Sequence, residues 1–157
     1  MPVKVGETAP DFKLPDTDRK MQGPGDYRGK NLILAFFPAV FSGVCDKEMC
    51  AFRDSLDELN SANAQVLAVS VDGVHPNKKF AAEYKLNFPV LSDYRKEVIR
   101  SYGVEWPNFA GLPGFTVATR SVFVLDKNGV VRYAWVTDAQ GKEPNYDEVR
   151  KAAAALK

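Results

Sequence analysis

Two uninterrupted apolar runs constrain this chain more than any other feature. Residues 31–37 read Asn-Leu-Ile-Leu-Ala-Phe-Phe and stop at Pro38, and residues 65–71 read Gln-Val-Leu-Ala-Val-Ser-Val. A half-exposed strand alternates apolar and polar residues, whereas a continuous run of this length, ended by a proline, suits a strand buried on both faces. Between the runs, Met49, Phe52, Leu56 and Leu59 recur at spacings of three and four, which predicts one helix over residues 43–60. A chain with two such strands needs other elements on both sides of its sheet.

The remaining elements follow the same logic. Residues 76–85 read as a helix, with Pro76 suited to its first turn, residues 88–91 as a short strand, and residues 95–102 as a short helix closed by Gly103. Residues 121–125 form an apolar strand, Asn128-Gly129 is a strong hairpin turn signal, and residues 130–136 return as the partner strand. Residues 146–156 form a closing amphipathic helix, and the Pro- and Gly-rich segments 15–29 and 107–114 read as surface loops of one domain over residues 1–157. A β-α-β-α start, an antiparallel hairpin and a last helix predict an α/β architecture of the thioredoxin-like kind, a central mixed β-sheet flanked by helices.

Charge and length exclude several classes. With 21 Lys and Arg against 20 Asp and Glu the formal charge is +1, so nothing points to a charge-driven nucleic-acid or membrane partner. No apolar run approaches the ~20 residues that span a bilayer, and residues 1–7 hold no signal-peptide stretch, so the expectation is a cytoplasmic protein.

Chemistry is confined to few residues. The chain has two cysteines, Cys45 and Cys50, and one histidine, His75. Zinc sites pair closely spaced cysteines with a second ligand pair; no such pair is present, so neither metal nor cofactor is expected. Cysteines five apart close too small a loop to act as a structural staple, which leaves redox or nucleophilic chemistry. Ser42 is a good N-cap for the helix after the first strand. Capping there puts Cys45 in the first turn, where unsatisfied N–H groups and the helix dipole favour a thiolate. On position alone a buried, inert cysteine competes closely with this reading. Glu48, three residues on, suits the same dipole. His75, Trp106 and Trp135 read as structural or surface residues.

The segment from Pro38 through Ser42 to Cys45 resembles the peroxiredoxin motif Pro-x-x-x-(Thr/Ser)-x-x-Cys, with serine in place of the commoner threonine. Residues 5–14 resemble the opening of that family, and Arg120 before the strand 121–125 resembles its distant active-site arginine. Three regions in the right order are far more specific than one short motif. The resemblance implies that Cys45 attacks the peroxide O–O bond and becomes a sulfenic acid. It implies that Arg120, Ser42 Oγ and the Cys45 backbone N–H hold the peroxide oxygens, that Pro38 shields the site, and that Glu48 orients active-site groups. Electrostatic preorganisation of this kind acts on the charge that builds on the leaving oxygen.

The spacing of Cys50 resembles the peroxiredoxin Q or bacterioferritin-comigratory group, in which the second cysteine resolves the sulfenic acid. The local run from Phe41 to Asp54 is also similar to the alkyl hydroperoxide reductase E group, which works with one cysteine. On an intact helix, residues five apart lie roughly 8.7 Å from Cα to Cα and about 140° around the axis, beyond the reach of a disulfide. Resolution by Cys50 therefore requires the first turns to unwind. The expectation is a thiol peroxidase recycled by thioredoxin or a glutaredoxin-like donor, as a monomer or homodimer. A one-cysteine peroxidase and a peroxide sensor that oxidises a partner remain open, and the missing Cys-x-x-Cys argues against a thioredoxin-type disulfide reductase.

Overall fold

A computed structural model describes residues 1–139 and 141–156. In chain order the elements are β1 (Leu14–Pro15), β2 (Met21–Gln22), β3 (Asn31–Phe36), α1 (Val44–Asp54), α2 (Leu56–Ser61), β4 (Ala64–Ser70), α3 (Val74–Glu83), β5 (Val90–Ser92), α4 (Glu97–Ser101), β6 (Glu105–Trp106), β7 (Val117–Ala118), β8 (Ser121–Leu125), β9 (Val131–Val136) and α5 (Tyr146–Ala154). Five strands form the central sheet in the order β5-β4-β3-β8-β9, with β3, β4 and β5 parallel and β8 and β9 antiparallel. The two apolar runs are thus the middle strands, and every residue of β3 is buried.

Strand pleating divides the core. Ile33, Ala35 and Phe37 point to one face, where α1, α2, α3 and α5 contribute Met49, Phe52, Leu59, Phe80 and Val149. Leu32, Leu34 and Phe36 point to the other, under Val98, Ile99, Tyr102 and the amino-terminal segment. No helix among the described residues is long and apolar enough to cross a membrane.

Several boundaries differ from the sequence expectation. The helix predicted over residues 43–60 is broken at Ser55, whose N–H is shared between the carbonyls of Ala51 and Phe52 and whose hydroxyl accepts from Arg150 Nη1 at 3.2 Å. The tightened turn ends α1, and α2 continues the same apolar stripe through Leu56 and Leu59. The third helix begins at Val74, ahead of Pro76, so His75 lies in its exposed first turn rather than in a loop. The segment 15–29 carries the small β1–β2 ladder and a short 3-10 turn.

Candidate active site

The site is built where strand ends converge. Because β3 and β4 are parallel, the loops that follow them, residues 37–43 and 71–73, leave the sheet at the same end. Because β8 runs antiparallel to β3, with Phe36 opposite Ser121, the residue that enters β8 arrives at that end too. That residue is Arg120, and its carbonyl is pinned by the Thr137 N–H at 2.9 Å. Cys45, 75 positions earlier, comes from the second residue of α1.

The hand-over from β3 to α1 is tight. Pro38 is buried just past β3. Phe41 has φ 59, a conformation that costs a bulky residue energy and persists only where its surroundings impose it. Here its ring is held against Phe80 and Tyr84, with centroids at 5.3 and 6.2 Å. Gly43, at φ 75 and ψ −68, closes a γ-turn in which the Val44 N–H donates to the Ser42 carbonyl at 2.8 Å. Glycine alone takes that φ without strain. Gly43, not Ser42, is therefore the N-cap of α1, a correction to the sequence reading, and no side chain caps the helix. The Ser42 hydroxyl instead favours the ionised form of the Cys45 thiol.

Cys45, Arg120 and Glu48 form a buried triad. Arg120 Nη2 donates to Cys45 Sγ at 3.0 Å and Nη1 donates to Glu48 Oε1 at 2.8 Å. Cys45 and Glu48 are fully buried and Arg120 is 4% exposed. Glu48 Oε2 has no hydrogen-bond partner among the described residues. One guanidinium thus serves two acids, and a single positive charge cannot fully compensate both. Burial pushes Glu48 up to about 7, against the opposing pull of Arg120. Burial also raises the Cys45 thiol, opposed by the charge of Arg120, the Ser42 hydroxyl, the Ala39 backbone N–H and the hydrogen bond from Arg120. Burial alone would lower Arg120, but Glu48 and Cys45 outweigh it and hold the guanidinium above its ordinary value. As the second residue of α1, Cys45 also carries one of the N–H groups that helix geometry leaves without an intrahelical carbonyl. The arrangement offers a sulfur nucleophile ringed by donors, able to hold an anion on the sulfur or on an oxygen bonded to it.

The structure thus brings together Cys45, Arg120, Ser42 and Glu48, with Pro38 adjacent, and separates Cys50 from them. Cys50 shares a helix face with Asp46 and Arg53 (steps of four and three), while Cys45 lies on the core stripe with Met49 and Phe52. The Cys50 face is clasped by Tyr84, the residue that caps the end of α3, with Tyr84 Oη donating to Asp46 Oδ2 at 2.7 Å and Arg53 Nη1 donating to the Tyr84 carbonyl at 2.6 Å. Both cysteines are free thiols. Among the described residues, no group of three or more His, Cys, Asp or Glu side chains could hold a metal. Trp106 packs edge-on against Phe109, and Trp135 is partly buried against the core.

Sequence reasoning missed two residues, Asp72 and Tyr84. Asp72 Oδ2 accepts the Val40 N–H at 2.9 Å across 32 positions. An aspartate between a strand and a helix reads as ordinary turn chemistry, so neither residue carried a local signal.

The AhpC/TSA family matches residues 5–134 of this chain. The chain is 37% identical over 155 residues to the chloroplastic peroxiredoxin Q of Sedum lineare, covering 99% of this chain and 80% of that protein. It is 38% identical over 133 residues to the chloroplastic peroxiredoxin Q of Oryza sativa subsp. japonica, covering 85% of this chain but only 59% of that protein. The fold superposes on the crystal structure of peroxidoxin BcpB from Mycobacterium tuberculosis with a TM-score of 0.87 and 27% identity, over 98% of both chains.

Proposed function

This chain belongs to the AhpC/TSA family and is a peroxiredoxin, a thiol peroxidase, and on that premise we propose that Cys45 is its peroxide-attacking nucleophile, with hydrogen peroxide and organic hydroperoxides as substrates. The observation that carries this reading is the Arg120 guanidinium at 3.0 Å from a fully buried Cys45 sulfur in the first turn of a helix. The Cys45 thiolate attacks the distal oxygen, the O–O bond breaks, and the leaving oxygen departs as water or alcohol after taking up a proton. Cys45 is left as a sulfenic acid, two electrons oxidised. Arg120, Ser42 and the backbone N–H groups of Ala39 and Cys45 hold the oxygens, most strongly as charge builds on the leaving one.

Cys50 then resolves the sulfenic acid: its sulfur bonds to Cys45 Sγ and water leaves. A dithiol donor of the thioredoxin or glutaredoxin kind returns both thiols and is itself oxidised to a disulfide, in the cytoplasm, on a monomer or homodimer of the chain. The folded α1 forbids the bond, since five helical steps hold the Cα atoms roughly 8.7 Å apart. Resolution therefore proceeds through local unwinding, starting at Gly43. A second reading, in which an outside thiol resolves Cys45, is favoured by the placement of Cys50 on a different helix face.

Peroxide consumption by wild type, Cys45→Ser and Cys50→Ser, with thioredoxin and with dithiothreitol, tests both. Cys45→Ser is expected to be inactive with either reductant, and wild-type turnover by it overturns the reading. Cys50→Ser is expected to fail only with thioredoxin; full activity with thioredoxin selects the one-cysteine route.

A further inference from the structure

The loop that presents Cys45 is held from outside by a polar knot that no part of the proposed chemistry uses. It forms where the loops after β4 and β5 meet the start of α3. Asp72 Oδ2 accepts the Val40 N–H at 2.9 Å. The Asp72 carbonyl accepts from Ser92 Oγ at 2.5 Å, and its N–H donates to Ser70 Oγ at 3.3 Å. Ser70 Oγ in turn donates to Asn77 Oδ1 at 3.2 Å. Ser70, Asn77 and Ser92 are fully buried. These four bonds tie the network's members together, although Asn77 Nδ2 has no hydrogen-bond partner among the described residues.

What it fixes matters because of chain order. Val40 follows Ala39 and precedes Ser42 by two residues, and the Ala39 N–H and the Ser42 hydroxyl both favour the ionised Cys45 thiol that Arg120 Nη2 meets at 3.0 Å. Between them Phe41 sits at φ 59, so this loop does not rest in a relaxed conformation of its own. Pro38 has no N–H to anchor it. Among the described residues the Val40 N–H is the loop's one bond to the knot, and without it Ala39 and Ser42 lose their common aim.

Resting on the reading of Cys45 as the nucleophile, we propose that Asp72 is a positioning residue: its carboxylate holds the Val40 N–H so that the flanking Ala39 N–H and Ser42 hydroxyl converge on the Cys45 sulfur. Asp72 acts here as an acceptor and not through its charge, because an anion beside a thiolate would oppose ionisation. The two modes predict opposite results. Asp72→Asn keeps an acceptor oxygen and removes the charge; Asp72→Ala removes both.

The test titrates Cys45 through its thiolate absorbance at 240 nm in a Cys50→Ser background, where it is the sole thiol, and measures its oxidation by hydrogen peroxide in single turnover. Asp72→Ala is expected to raise the thiol pKa by about one unit and to slow oxidation at neutral pH about tenfold. Asp72→Asn is expected to stay within about threefold in rate, with a pKa equal to or below that of the parent. Should Asp72→Ala fail to fold, Asp72→Ser carries the same expectation, its hydroxyl being too short to reach Val40. An unmoved pKa in the acceptor-less variant, or equal shifts in the alanine and asparagine variants, overturns the proposal. Peroxide consumption by Cys45→Ser at the wild-type rate would instead overturn Cys45 as the nucleophile and leave the pKa readout of Asp72 standing.

Discussion

Replacing Glu48 by glutamine should make Cys45 a stronger acid. In the wild type the carboxylate and the sulfur meet different nitrogens of one guanidinium at 2.8 and 3.0 Å. The two acids therefore lie at most roughly 8 Å apart, and at an effective dielectric of about 20 a unit charge at that range is worth about 2 kcal/mol. That corresponds to about 1.5 pKa units. Glu48, raised to about 7, ionises before the thiol, so the thiol titrates against a guanidinium already claimed by a carboxylate. Glutamine keeps an oxygen to accept from Arg120 Nη1, so the guanidinium stays in place while its whole charge becomes available to sulfur. Thiolate absorbance against pH in a Cys50→Ser background should show the Cys45 pKa falling by about 1.5 units. Single-turnover oxidation at pH 8, where Glu48 is ionised, should quicken in proportion, and at pH 6, where Glu48 is mostly protonated, far less. An unchanged or higher pKa with the fold intact would show that Glu48 does not compete for Arg120.

Because the folded pKa of Glu48 is raised from 4.5 to about 7, the native state holds that proton longer than the unfolded chain. Its contribution to stability is thus full below pH 4.5 and lost as pH rises through about 7, up to about 3 kcal/mol; urea unfolding at pH 5 and pH 8 should show this loss in wild type but not in Glu48→Gln. Arg120→Ala strands a buried carboxylate and should cost about 3–5 kcal/mol in stability, along with a peroxide oxidation rate lower by about a hundredfold; a melting curve like that of wild type would contradict the buried pair. Tyr84→Phe keeps the ring contacts of Phe41 and Phe80 but removes the bond to Asp46, worth about 1 kcal/mol. Disulfide formation after a peroxide pulse should then be about fivefold faster by mass spectrometry, and an unchanged rate would mean that the clasp does not gate unwinding. Amide exchange of the trapped Cys45–Cys50 disulfide should lose protection across α1, whereas protection equal to that of the reduced form would refute local unfolding.

The elements were legible wherever the signal was local. The continuous apolar runs at residues 31–37 and 65–71 identified the middle strands because a strand buried on both faces leaves no room for alternation. Asn128-Gly129 marked the hairpin because that turn needs positive φ, which Gly129 adopts at 81°. The helix break at Ser55 and the cap at Gly43 were not legible. The apolar spacing runs straight through Ser55, and Ser42 is a better cap residue than Gly43 on propensity alone. Tertiary contacts decided both, through Arg150 on Ser55 and the Cys45 sulfur on Ser42.

The same division governs the site. By itself the sequence determined that a cysteine follows a buried strand at the start of a helix, because strand run, proline stop and helix period are written in one continuous stretch, residues 31–59. What that cysteine faces was decided by pairing. The antiparallel register of β8 on β3 carried Arg120 across 75 positions, and the parallel register of β4 carried Asp72 to the same loop. Arginine at a strand start and aspartate just past a strand end are ordinary surface residues until two ladders place one beside a buried sulfur and the other against the loop that leads to it. Hydrogen-bond register is a property of the assembled sheet, and no segment of the chain contains it alone.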